Sequence, residues 1–180
     1  MNFLEVMQSY FRGEKLEALY FILPIGLLLI ALGIVALRAE KGGFAWGVAI
    51  PCFVFGALLL VTGATVGFRT RAQVAALQKS YAQSPGAMAG PELNRMEKVN
   101  KNFRFTFYAF GAVALLGLLL HYLVPADWAR GLGAVLILGA AIGLLIDGFA
   151  ERRAEPYTEA LRSLPLQSGP SGDTSLPRPD

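Results

Sequence analysis

The sequence predicts an all-α protein, built as a bundle of four membrane-spanning helices. Four long apolar runs carry this prediction: residues 18–37, 44–67, 105–124 and 128–148. Asp, Glu, Lys and Arg are absent from these runs except for one Arg and one Asp near the two ends of the fourth. A hydrocarbon core of about 30 Å needs about 20 apolar residues, and because lipid cannot satisfy backbone polar groups, each run should be a helix.

The composition agrees with this class and excludes several others. Hydrophobic residues make up 54% of the 180-residue chain and charged residues only 16%, against about 25% charged in soluble domains. Cys52 is the single cysteine, so an intrachain disulfide is excluded. The Lys and Arg residues flank the runs instead of alternating with aromatics, so the net charge of +3 does not indicate nucleic acid. We expect no cofactor and no metal site.

The basic residues predict the orientation. The side that would hold both termini and the long loop carries 13 Lys and Arg residues, and the opposite side carries three. Since positive loops stay inside, both termini are expected to face the cytoplasm of a bacterial inner membrane. The first span should be retained, because the chain start lacks the pattern of a cleaved signal peptide.

The residues before the first run predict a short amphipathic helix. Phe3, Met7 and Phe11 recur at helical spacing, and Gly13 stands where this helix should end. We interpret it as an interfacial helix on the inner leaflet; a helix packed under the bundle is the equal alternative.

The long loop, residues 68–104, contains two further helical stripes separated by a cluster of turn-forming residues between Ser84 and Gly90. The simplest construction extends the second span to about Gln83 and begins the third at about Pro91, giving a cytoplasmic helical hairpin. Two short helices lying flat on the lipid headgroups are the alternative. Residues 1–164 thus form one domain, and the Pro- and Gly-rich residues 165–180 should be a disordered tail.

Glycines in the spans are the candidate contacts with other helices. Gly63 with Gly67 and Gly139 with Gly143 have the GxxxG spacing, which allows a neighbouring backbone to approach, and Gly56 precedes the first pair by seven residues. They serve either packing within the chain or contact with a partner, including a second copy in a homo-oligomer.

Asp147 is the remaining candidate for a partner or ion site, because a carboxylate within an apolar run is functional by default. Its position near the end of the run favours an ion pair with Arg104, Arg152 or Arg153. Pro51 should kink the second span, and His121 should lie at the outer interface. Asp127 is expected to cap the fourth span.

The layout resembles two groups of proteins. In size, span number and orientation it is similar to uncharacterised small bacterial inner-membrane proteins, to which residues 71–74 and 92–103 also show a resemblance. It is similar as well to immunity proteins against pore-forming colicins and some type VI secretion effectors. That resemblance implies binding of a toxin's inserted helices within the bilayer, with the glycine-rich faces as the contact surface.

The sequence therefore predicts a non-enzymatic binding protein of the inner membrane, with the lipid bilayer and a toxin or membrane protein as partners, and an immunity function as the leading hypothesis. The sequence shows no nucleophile paired with a base and no phosphate-binding loop, so none of its motifs suggests catalysis. A small transporter or channel subunit that uses Pro51 and Asp147 is one alternative. A regulatory or assembly factor acting through the hairpin is the other.

Overall fold

The structure is a computed structural model and describes residues 2–165, which form four long helices. These are α1 (Phe3–Ala39), α2 (Gly43–Gln83), α3 (Pro85–Leu123) and α4 (Asp127–Arg162). No strand occurs in the described residues, so the all-α prediction is confirmed, and each helix contains one of the four apolar runs. The predicted tail, beyond residue 165, lies outside the described residues.

Each helix is longer than a membrane requires. All four are long and apolar enough to cross a membrane, which indicates a multi-pass membrane protein. With 41 residues, α2 extends over about 60 Å, roughly twice the hydrocarbon thickness. We call residues 18–67 and 105–148 the apolar half, and residues 2–17, 68–104 and 149–165 the polar half.

In the apolar half the helices lie in the order α1, α2, α4, α3. The apolar part of α1 packs on α2, α2 packs on α4, and α4 packs on α3 over most of its length. Leu29, Val48, Cys52 and Val135 form a small buried cluster among α1, α2 and α4. Of the four helices, α3 leaves the largest part of its apolar surface uncovered by protein.

Glycines set the closest approaches between these helices. A Cβ built on Gly26 would lie 3.0 Å from the Gly56 oxygen, and one built on Gly56 would lie 2.9 Å from the Gly26 oxygen. Gly117 of α3 and Gly133 of α4 face each other in the same reciprocal way. Gly131 of α4 lies equally close to the backbone of α2. Because a side chain would strike backbone at each position, the three interfaces depend on the missing Cβ.

The N-terminal segment differs from the predicted short helix. Gly13 does not end it, because the helix continues through Gly13 and passes into the first span by a π-helical turn at Ala18–Ile22. Gly13 instead makes room for Arg153, whose Cδ would lie 2.5 Å from an added Cβ. The wide turn lies directly before Pro24, whose ring would clash with the carbonyl of Tyr20 in a regular helix.

The apolar face of this segment is buried in protein. Phe3, Met7, Tyr10 and Phe11 lie in one cluster with side chains of α2, α3 and α4, and Met7 is 0% exposed. This is the second of the two arrangements considered for it, a helix packed against the bundle, and its apolar side is not free to lie on lipid.

The turn between α2 and α3 is shorter than predicted. α2 ends at Gln83, but α3 begins at Pro85, six residues before the predicted start at Pro91, and only Ser84 separates them. The Ser84 Oγ accepts a hydrogen bond from the Ala87 amide at 3.4 Å, and proline fits the first helical position. Burial of Met88 at 7% exposure further stabilises this early turn of helix.

At the other end, the residues between α3 and α4 form a second tight connection. Asp127 is the first residue of α4 and not its cap, which is Ala126; its carboxylate accepts a hydrogen bond from Arg130 at 3.3 Å. The His121 Nδ1 donates to the Arg130 carbonyl, with 2.9 Å between the atoms. His121 therefore has a structural partner at this turn.

Substitution at Gly117 tests the glycine contacts. Gly117→Ala should destabilise the protein by about 1–3 kcal/mol, because the new methyl group would lie 2.8 Å from the Gly133 oxygen. Thermal unfolding in detergent micelles measures the change. Gly111→Ala is the matched control on the same helix, since a Cβ there meets nothing within 4 Å. Equal unfolding temperatures for the two variants would contradict the packing described.

Candidate functional site

An ion pair with a buried carboxylate and a half-buried guanidinium lies at the centre of the polar half. Glu92 of α3 is only 7% exposed, and both of its oxygens accept hydrogen bonds from Arg95, at 2.9 Å from Nε and 2.7 Å from Nη2. The Tyr157 hydroxyl of α4 donates to the same carboxylate at 2.9 Å. The Tyr10 ring of α1 stacks on Tyr157, with 4.8 Å between ring centroids. We call Glu92, Arg95 and Tyr157 the polar-half network.

The pKa values of Tyr157 and Arg95 are shifted by burial and by the neighbouring charges. Burial raises the pKa of Tyr157, and the charge of Glu92 raises it further. Burial alone would lower the pKa of Arg95, but the hydrogen bonds and charge of Glu92 outweigh it, so the pKa is raised. Tyr157 and Arg95 therefore both keep their protons at neutral pH.

A second charged group, the junction cluster, lies where the polar half meets the apolar half. It comprises Glu14 and Glu17 of α1, Arg69 of α2, and Asp147 and Arg153 of α4. Glu17 forms an ion pair with Arg153, and Glu14 lies 3.7 Å from Arg69. Glu17 is the more buried acid, with 9% of its side chain exposed against 21% for Glu14.

The junction cluster is incompletely satisfied. Among the described residues, Glu14 Oε2, Glu17 Oε1, Asp147 Oδ2 and Arg153 Nε are buried atoms that lack a hydrogen-bond partner. Burial raises the pKa of Glu17, against the opposing effect of Arg153, and the charge of Asp147 adds to the rise. Burial likewise raises the pKa of Glu14. Such carboxyl groups can take up and release protons, or bind a cation or a donor group from a partner.

Asp147 is the predicted site residue that the junction cluster contains. The sequence predicted an ion pair with Arg104, Arg152 or Arg153, and the described structure shows no ion pair for Asp147. Arg153 is engaged by Glu17 instead, because the N-terminal part of α1 packs against α4 and brings its own carboxylate to that guanidinium. The prediction of the partner was therefore wrong.

The five candidate glycines all face helices of the same chain. Gly56, Gly63 and Gly67 of α2 face α1, where added Cβ atoms would lie 2.9 Å from the Gly26 oxygen, 2.8 Å from Leu23 Cγ and 3.3 Å from Leu19 Cδ2. Gly139 faces the Phe55 ring of α2 at 2.9 Å, whereas Gly143 faces the Phe110 ring of α3. The two GxxxG pairs thus differ, since one pair lies against a single helix and the other pair is shared between two. Their use by a partner stays a prediction.

Sequence reasoning missed the polar-half network. No role was assigned to Glu92 from the sequence, although it lies four residues from Met88 and from Met96, on the apolar face of α3. An acid in an apolar stripe is the available signal, because a buried carboxylate requires a cation. Tyr157 lies 65 residues further along the chain, and only the fold brings it there.

Within residues 2–165, no group of three or more His, Cys, Asp or Glu side chains is arranged to hold a metal ion. No family model matches the chain, and neither a curated protein nor a solved structure matches it.

The polar-half network makes a prediction about stability. Arg95→Met should destabilise the polar half by about 3–5 kcal/mol, because it leaves the Glu92 carboxylate buried without its cation. The double variant Glu92→Met with Arg95→Met should recover most of this loss, since it removes both charges. Chemical denaturation in micelles, followed by limited proteolysis of the polar half, measures both.

The matched control is an exposed ion pair between the same two helices that the network joins. Arg162 and Glu97 lie 3.5 Å apart, with 58% and 51% of their side chains exposed. Arg162→Met should cost less than about 1 kcal/mol. If Arg95→Met and Arg162→Met cost the same, the assigned importance of the network is wrong.

Proposed function

We propose that the protein is a non-enzymatic binding protein of the bacterial inner membrane, and that it is an immunity protein protecting its cell from a membrane-active toxin. The observation that carries the proposal is the exposure of α3 in the apolar half. Only 6% of its most apolar 18-residue window is buried within the protein, against 22% to 39% for the other three helices. This helix has free surface for a helix of another protein.

The exposed surface of α3 is apolar and contains aromatic side chains. Phe107 is 61% exposed and Leu115 is 58% exposed, and both belong to the predicted third span. Helices associate in lipid by close packing of such surfaces. We therefore place the toxin's inserted helices against α3, because the glycine faces that the sequence favoured are already covered by α1, α2 and α3 of the same chain.

The orientation supports this role. Of the 15 Lys and Arg residues that the structure describes, 12 lie in the polar half, so the polar half lies in the cytoplasm. α2 and α3 then project from the membrane as the arms of a hairpin, and the N-terminal part of α1 packs between them and α4. A rigid cytoplasmic half would hold the four spans in register while α3 faces the bilayer.

Deletion of the gene tests the proposal. Cells that lack the protein should lose viability beside a toxin-delivering sister strain, and the intact gene should restore growth. Leu115→Trp should reduce the number of surviving cells at least tenfold, because the larger ring disturbs the contact with the toxin. Leu58→Trp on α2 is the matched control, since Leu58 is also 58% exposed.

Membrane fractions of both variants should contain the protein at wild-type amounts. Survival of the deletion strain at the wild-type level would remove the immunity function. Equal loss of protection in the two tryptophan variants would remove the assignment to α3.

A second candidate, a small transporter or channel subunit, is favoured by Asp147. Its Oδ2 is buried without a hydrogen-bond partner in the described structure, and it lies close enough to Glu17 to raise the pKa of that group. Two neighbouring acids at the end of a span are typical of proton or cation pathways. A docking role for the hairpin has less support, because its apolar face already packs against Phe3 and Met7.

Liposomes that contain the purified full chain test the second candidate. Proton or cation flux should exceed that of empty liposomes, and Asp147→Asn should reduce it at least tenfold, because the amide cannot exchange a proton. Asp127→Asn is the matched control, since Asp127 is 71% exposed and paired with Arg130 at the other end of α4. Flux equal to that of empty liposomes would exclude transport by the protein alone.

A further inference from the structure

A groove runs between α1 and α2 where these helices pass from the apolar half into the polar half. Its volume is about 470 Å³, within the range of small-molecule sites. Lys15 of α1 and Arg71 of α2 lie at its polar end. The rest of its lining is apolar: Leu19, Leu23, Ala64, Gly67 and Phe68.

A second cavity of about 400 Å³ continues the groove toward the polar half. It is lined by Lys15 and Arg71 as well, and Arg12 adds a third cation. Neither cavity is lined by Asp or Glu, and none of the three cations forms an ion pair in the described part of the chain. The polar end of the groove therefore carries three positive charges that the protein does not neutralise.

The helical register separates the charged and apolar parts of the groove. Arg12, Lys15, Leu19 and Leu23 follow one another at intervals of three or four residues, so they share one face of α1. Arg71 lies four residues beyond the predicted end of the second span, a rise of about 6 Å. This is the depth of lipid headgroups, whereas the leucines lie at the depth of acyl chains.

The apolar floor depends on Gly67. A Cβ there would lie 3.3 Å from Leu19 Cδ2, so any larger side chain would fill the space. Beside it, Phe68 is 86% exposed and forms the rim of the groove. An acyl chain laid along the groove would cover both residues.

The other large clefts of the polar half have a different charge. The cavity of about 380 Å³ between α3 and α4 is lined by three arginines and three glutamates, so its charge is balanced: Arg104, Glu151, Arg152, Glu155, Glu159 and Arg162. The neighbouring cavity of about 790 Å³ has one acid, Glu97, beside Lys101, Arg104 and Arg162, and Glu97 pairs with Arg162. Among these clefts, the α1–α2 groove and its continuation are lined by cations and apolar residues without an acid.

We propose that the α1–α2 groove binds one anionic phospholipid. Lys15 and Arg71 hold its phosphate headgroup, Arg12 lies beside them, and one acyl chain lies over Gly67 between Leu19 and Phe68. The charge favours an anionic headgroup, and the apolar floor favours a lipid over a free phosphate. The proposal is independent of the immunity function.

Native mass spectrometry of the full chain in detergent micelles tests this site with phosphatidylglycerol and phosphatidylcholine as probes. The wild type should retain one phosphatidylglycerol and bind phosphatidylcholine at least tenfold more weakly. The double variant Lys15→Gln with Arg71→Gln should bind phosphatidylglycerol about 30-fold more weakly, from the loss of two cations. Gly67→Leu, which keeps the cations and fills the floor, should also lose the lipid.

The matched control, Lys101→Gln with Arg104→Gln, removes two cations from the cavity beside α3 and should retain phosphatidylglycerol. If Gly67→Leu does not fold, Arg71→Gln alone decides, because it changes an exposed side chain. Equally weakened phosphatidylglycerol binding in both double variants would overturn the proposal, because the lipid would then be attracted by surface charge in general. Equal binding of phosphatidylcholine, or displacement of the lipid by soluble glycerol phosphate at the same concentration, would overturn it as well.

Discussion

Glu92 is buried among apolar side chains of the polar half, and its negative charge has to be compensated there. Removing a carboxylate from water costs several kcal/mol unless a cation and hydrogen bonds surround it. Arg95 on the same helix supplies two hydrogen bonds, and Tyr157 on α4 supplies a third. Because Tyr157 also stacks on Tyr10 of α1, the register among three helices depends on this one carboxylate.

The apolar half follows a different physical rule. Lipid tails are as apolar as leucine, so burial of apolar surface gives no driving force for helix association there, and close packing has to replace it. The reciprocal contacts of Gly26 with Gly56 and of Gly117 with Gly133 provide this packing. The two halves are thus stabilised by different means: side-chain burial and ionic hydrogen bonds in the polar half, and backbone proximity in the apolar half.

The sequence predicted the features that depend on length and local pattern. The four apolar runs predicted four helices, since span length and backbone hydrogen bonding follow from composition alone. It did not predict that α1 continues through Gly13, because glycine is common at helix ends. Only the fold shows that Arg153 packs against Gly13 and requires a residue without a Cβ there. The start of α3 at Pro85 was missed for a similar reason. Burial of Met88 stabilises that turn, and burial is a tertiary property.

The candidate site shows the same division. Asp147 could be identified from the sequence because it is an acid in an apolar run, but its surroundings could not. Glu17 comes from the far end of the chain and takes the guanidinium of Arg153, so Asp147 is left without an ion pair in the described residues. A rule based on nearby residues along one helix selects Arg152 or Arg153, whereas the fold decides the pairing by packing the N-terminal part of α1 against α4.

The junction between the two halves is where these rules meet. The π-helical turn at Ala18–Ile22 lies there, directly before Pro24, and allows α1 to pass from the ionic contacts of Glu14 and Glu17 to the glycine contact of Gly26. Charged groups cannot follow the chain into lipid, so they gather at this level. Those facing the interior form the junction cluster, whereas Lys15 and Arg71, which face outward, form no ion pair within residues 2–165. The surplus of positive charge on that outer face follows from the use of the nearby acids, Glu14 and Glu17, in pairs with Arg69 and Arg153.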